Sequence, residues 1–79
     1  MNGSYIYAVG VLHQGEWKSR GFFKEKKQAF DFQLEGNAIY EIKVKHEIDD
    51  YYLQTLNVHL PVIDIQLRRK VEQHERKEI

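Results

Sequence analysis

The residue types that could do chemistry in this chain are scattered along it. His13, His46, His59 and His74 stand 33, 13 and 15 residues apart, whereas a zinc ion needs three or four ligands converging at roughly 2 Å. That spacing supplies no local ligand pair, so the four imidazoles are expected as separate surface or half-buried residues and no metal site is expected. His46 is singled out because strand alternation puts it beside Val44 and Ile48, where desolvation would hold its ring neutral. Glu47, Asp49 and Asp50 are the carboxylates closest together for acid–base or metal-assisted hydrolysis. Two adjacent aspartates after a strand, however, are what a turn uses. The sequence contains no glycine-rich phosphate loop, no histidine pair at one helical turn and no serine in a nucleophile-elbow setting. Neither catalytic residues nor a cofactor is expected, and the chain is read as a non-enzyme.

Two basic clusters could contact phosphates. Lys18, Arg20, Lys24, Lys26 and Lys27 are diluted only by Glu25, and Arg68, Arg69 and Lys70 are followed by Arg76 and Lys77. With a ring such as Tyr5, Tyr7 or Trp17 alongside, the first cluster would resemble a stacking platform for single-stranded nucleic acid. In the second cluster Glu72, Glu75 and Glu78 interleave, and Glu72 with Arg76 has the spacing of a solvated helical ion pair. Twelve basic and twelve acidic side chains cancel over the whole chain, so no global field draws it to nucleic acid or anionic lipid.

The elements that must position these groups follow from periodicity. Segment 5–12 is apolar on both faces and predicts a strand covered on both sides. His13-Gln14-Gly15-Glu16 supplies a turn into a second strand over 17–23, with Lys18 and Arg20 outward and Trp17, Ser19 and Phe23 inward. The period then changes, predicting a helix over 24–35 with Phe23, Lys27, Phe30 and Leu34 on one stripe and a stop at Gly36-Asn37. Phe32 faces away from Phe30 on that helix. Segment 38–48 alternates cleanly, with Tyr40, Ile42, Val44, His46 and Ile48 on one face and Glu41, Lys43, Lys45 and Glu47 on the other. After Asp49-Asp50, segment 51–60 is read as a returning strand, the competing reading being a short helix capped by Asp49. Pro61 fits the first turn of a last helix, along which Ile63, Leu67, Val71 and His74 share a sector. The competing reading there continues a strand through Val62, Ile63, Ile65 and Leu67, with Asp64, Gln66 and Arg68 outward.

The expected fold is therefore one α+β domain over 1–79 in the order β-β-α-β-β-α. Its sheet is mainly antiparallel with helices packed on one face, and a charged C-terminal helix frays from about 72. At 79 residues a single core is near its lower size limit, and self-association would help it. The absence of cysteine suits a reducing compartment. No basic region precedes the first apolar run, which breaks within ten residues, so neither a signal peptide nor a membrane span is expected and the chain is placed in the cytoplasm.

Five tyrosines, four phenylalanines and a tryptophan make up 13% of the chain, more than one thin core hides easily, and such rings are favoured at interfaces. The expected function is a protein-binding module, a homodimer or an inhibitor or regulator of a larger partner. Its contact surface is expected at Phe32, Tyr51, Tyr52, Ile63, Leu67 and Val71. Short chains of this kind are also what phages and mobile elements encode to block host proteins. The alternative expectation is a nucleic-acid-binding regulator that uses Lys18, Arg20, Lys24, Lys26, Lys27, Arg68, Arg69 and Lys70.

Overall fold

The first strand is dictated by its side chains. Ile6 and Ala8 pack into one hydrophobic cluster and Tyr7 and Val9 into another on the opposite face. In the computed structural model, which describes residues 4–79, this segment is β1 (Ser4–His13). It pairs antiparallel with β2 (Glu16–Phe23) on one side and β3 (Ala38–Val44) on the other, and β4 (Arg69–Val71) completes a sheet of order β2-β1-β3-β4. Residues 1–3, the start of the N-terminal segment considered above as a leader, lie outside the described residues. Among the described residues no helix is long and apolar enough to cross a membrane.

The β1–β2 connection is the expected hairpin. Gln14 and Gly15 take φ of 51° and 80°, the left-handed pair that matches the twist of two-residue hairpins. Between Val9 and Gly10 the pairing skips Arg20, so β2 carries a bulge. One extra residue reverses the side-chain alternation beyond it. Phe22, rather than Phe23, therefore joins Trp17 in the first core, while Phe23 packs with the second. Gly10 allows this arrangement, because a Cβ there would meet the Lys18 carbonyl and the Trp17 ring.

The first helix, α1, runs over Lys26–Phe32 and is shorter than expected. The Leu34 N–H is bound by the Asn37 Oδ1 at 3.2 Å, and this competition for a backbone donor ends the helix early. Leu34 is left exposed. Ala29 and Phe30 bury against Val9, Ile39 and Val71 on one face of the sheet.

Segment 51–60, expected as a strand, is helical: α2 spans Asp50–His59. Asp49 caps it by accepting the Tyr52 N–H at 2.8 Å, an N-terminal device typical of aspartate. Tyr52, Leu53 and Leu56 then share the stripe that packs on Ile6, Phe22, Ile42 and Ile48. The two α-helices thus cover opposite faces of the sheet, not one. The chain order is β-β-α-β-α-β with short 3-10 segments at Ile65–Leu67 and Gln73–Glu78.

Pro61 ends a helix instead of starting one. It has no N–H to continue α2, and Leu60 closes the helix in the left-handed region at φ 45°. The expected helix from Pro61, and the charged C-terminal helix with it, is replaced by an extended run, a 3-10 turn, β4 and a second 3-10 segment. The strand alternative over 62–67 fails as well, because the sheet is rejoined only at Arg69.

The outer edge of β2 is closed by a side chain. Asn57 of α2 accepts the Phe22 N–H at 2.8 Å and donates to the Phe22 carbonyl at 3.0 Å, as a neighbouring strand would. Losing both bonds leaves a strand-edge donor and acceptor unpaired, so Asn57→Ala is expected to lower the unfolding free energy by about 1–2 kcal/mol. Urea denaturation measures this, and unchanged stability would show that the edge contact contributes nothing.

Candidate functional site

The expected interface residues fall into three environments. Tyr51 and Leu67 are 76% and 74% exposed. Tyr52 and Ile63 are half-buried against the first core, and Val71 is fully buried in the second. Phe32 lies at the surface end of α1, its ring 5.0 Å from that of Phe23 and capped by the Arg20 guanidinium at 5.2 Å. Thus Phe32, which faces away from Phe30 on the helix, meets β2 instead of solvent alone.

The basic clusters are engaged in part. Arg20 donates to Asn37 Oδ1 at 2.8 Å, Lys27 pairs with Asp31 at 2.9 Å and Lys26 with Glu75 at 3.0 Å. Arg69 binds two carboxylates. Among the described residues Lys18, Lys24, Arg68 and Lys70 form no ion pair. Register also splits the second cluster. Arg69 pairs with Glu41 and Lys70 with Tyr40, whose side chains point to opposite faces of the sheet.

The four histidines are all exposed. His46 escapes the apolar face because β3 ends at Val44; its ring stands edge-on to Tyr52, with Nδ1 3.0 Å from the Glu47 carbonyl oxygen. Among the described residues no three His, Cys, Asp or Glu side chains are grouped as metal ligands would be.

Two constructions stand out. The first is a polar network on the α1 face. Tyr7, Glu41 and Arg69 lie in register across β1, β3 and β4. The Tyr7 hydroxyl donates to Glu41 at 3.1 Å, and Arg69 donates to Glu41 at 3.1 Å and to Glu75 at 2.9 Å. Glu75 is 6% exposed and also accepts from Lys26 and from the Glu72 N–H at 2.7 Å. The network ties the last 3-10 segment to both the sheet and α1. No buried side-chain polar atom among the described residues is left without a partner, so these groups act as a latch.

Protonation follows from that geometry. Hydrogen bonds from Arg69, the Glu72 N–H and Lys26 hold the Glu75 carboxyl far below the usual carboxylate range. Partial burial works against ionisation of Glu41, but hydrogen bonds from Arg69 and Tyr7 prevail and keep it low. Burial, with the Glu41 charge beside it, pushes the Tyr7 phenol up to about 12.

The second construction is a groove of about 630 Å³ between the hairpin tip and residues 62–66, with Leu12, Trp17, Val62, Ile63 and Ile65 as its apolar lining and Glu16 and Asp64 as its charged residues. Its wall is pinned by a relay: Trp17 Nε1–H donates to Ser19 Oγ at 2.9 Å, and Ser19 Oγ–H donates to the Pro61 carbonyl at 2.8 Å. Ile63 and Ile65 turn inward onto the first core. Val62 turns outward at 78% exposure, facing an equally unpaired Leu12 at 55%. Asp64 accepts the Gln66 N–H at 3.1 Å and so caps the 3-10 turn that follows. Leu12, Val62, Ile65 and the two acids were not among the residues expected from sequence, and Trp17 was considered only as a stacking ring beside the first basic cluster. The one available signal was the alternation of 62–66, apolar at 63 and 65, which the strand alternative contained. Comparison with known proteins finds no matching family model, curated protein or solved structure.

The network carries a pH prediction. Glu75 and Glu41 have native pKa values below those of the unfolded chain, near 4.3. Their contribution is therefore complete above about pH 5 and is lost as the pH falls through and below the unfolded value. Urea midpoints measured from pH 7 down to pH 3 should fall steeply in the wild type. Glu75→Gln should start lower at neutral pH and fall less; parallel curves would show that Glu75 is not part of the latch. For Tyr7, whose pKa is raised, the sign is opposite: stability is present below about pH 10 and lost as the pH rises toward 12.

Proposed function

We propose that this chain is a protein-binding module, an inhibitor or regulator without catalytic activity of its own, and that its contact surface is the groove between the hairpin tip and residues 62–66. The observation that carries this reading is the juxtaposition of exposed Leu12 and Val62 over a floor containing buried Trp17. Concave, mainly apolar sites with a few fixed polar groups are where ligands and partner side chains anchor. A buried tryptophan held by its own N–H hydrogen bond gives such a pocket a rigid base. Tyr51 and Val58, one stripe of α2 left at 76% and 69% exposure, add apolar surface elsewhere on the same molecule. Exposed apolar area of this kind marks contact sites.

The nucleic-acid alternative has fewer groups to work with. Arg20, Lys26, Lys27 and Arg69 are engaged within the chain, which leaves Lys18, Lys24, Arg68 and Lys70, with Arg76 and Lys77, for phosphates.

The test is capture from extract of the cells that encode the chain, with tagged wild type beside Val62→Glu. A protein retained by wild type should be lost with Val62→Glu and kept by Leu34→Glu, which alters an exposed apolar residue outside the groove. Equal recovery by all three would reject the groove as the contact surface.

A further inference from the structure

We infer that the groove's occupant is a second copy of this chain, the two copies exchanging Leu67 and Arg68 across a two-fold axis. The inference rests on the groove being a protein-contact surface and names what fills it. The groove has an apolar floor and two carboxylates, Glu16 and Asp64, and among the described residues no basic one lines it. Among the described residues neither carboxylate forms an ion pair. The complementary occupant is therefore a large apolar side chain with a cation directly beside it.

The same chain presents that combination. Leu67 is exposed across about three-quarters of its surface, and the next residue, Arg68, is exposed and without an ion pair among the described residues. Leucine supplies the apolar anchor. Arginine supplies a planar guanidinium suited to carboxylate oxygens.

Position strengthens the match. Gln66 lines the groove and Leu67 follows it immediately, so knob and hole lie side by side. A two-fold contact requires one patch to be complementary to itself, with residue i meeting j while j meets i. Adjacent knob and hole meet that requirement, whereas knob and hole on opposite sides of the molecule would generate open chains. A heterologous partner that uses the groove would then have to displace the second copy, which makes its binding dependent on the concentration of this chain.

Sedimentation of the full chain at micromolar concentrations tests this. Wild type should approach twice 9.5 kDa. Leu67→Glu should sediment as a monomer, and Arg68→Glu should weaken the dimer at least about tenfold, the range of a lost interfacial charge pair. Combining Arg68→Glu with Glu16→Lys should restore part of the loss, Asp64 being left in place because its side chain caps the turn that carries Leu67. These side chains are exposed, and circular dichroism of each variant verifies the fold. A wild type that is monomeric throughout, or a dimer that Leu67→Glu leaves intact, would overturn the inference. If the wild type is monomeric while Val62→Glu still abolishes capture of another protein, the second copy is the wrong occupant and the groove reading stands.

Discussion

A central strand with apolar side chains on both faces must be covered twice, and 79 residues leave little chain with which to do it. β1 sets this constraint through Ile6 and Ala8 on one side and Val9 on the other, each buried. The molecule answers with two thin cores back to back, α1 and the last 3-10 segment over one, α2 and the extended run after it over the other. Each cover is too small to hold itself by burial alone. α1 is a seven-residue helix, and α2 has no residue that is fully buried. Isolated helices of these lengths are marginal in water, so side-chain hydrogen bonds must fix where they sit.

The two covers are held by different chemistry. On the α1 face the fastening is ionic, with Glu75 shared between Lys26 and Arg69 and Arg69 shared in turn with Glu41. On the α2 face it is neutral, through Asn57 to the β2 backbone and Trp17 to Ser19 to Pro61. Acid therefore weakens the first fastening while leaving the second chemically unchanged. The hairpin-tip end of the α2 face is also where the cover is thinnest, because α2 has ended and only 61–65 continues it. The groove is that shortfall.

What was legible in the sequence was whatever depended on alternation within one uninterrupted strand. β1, the hairpin and the start of β3 belong to this class, since β1 is apolar on both faces and is covered on both, and β3 alternates apolar with charged residues. What was hidden depended on a single residue that breaks a period. The extra residue Arg20 exchanges the roles of Phe22 and Phe23, and no local signal announces a bulge. Asp49 reads as a turn residue or a helix cap according to whether the next segment has a surface to pack on, which only the rest of the fold decides. Proline at the start of a helix and proline just past the end of one look alike until the preceding residue's backbone is known. The tail was obscured by an assumption about helix type. With α-helical spacing Glu72 and Arg76 pair, whereas the 3-10 segment places Glu75 against the Glu72 backbone and turns its carboxylate inward.

The groove and the exposed leucine beside it share one cause. Along 61–64 Ile63 goes in while Val62 and Asp64 stay exposed, and unbroken alternation would have turned Leu67, Arg69 and Val71 to the same face as Ile63, whereas Val71 belongs to the opposite core. The Asp64 cap instead starts a 3-10 turn over Ile65–Leu67. That turn tightens the chain, spends no apolar contact on Leu67 and releases it outward before Val71 returns to the core. An outward Val62 makes the wall, an outward Leu67 makes the projection, and the two acids at the wall have no cation among the described residues. Had the segment been the regular helix or strand that its sequence resembles, Leu67 would have shared a stripe with the half-buried Ile63. It is the short irregular connection between α2 and β4 that gives this small fold both a concave apolar surface and a side chain suited to fill one.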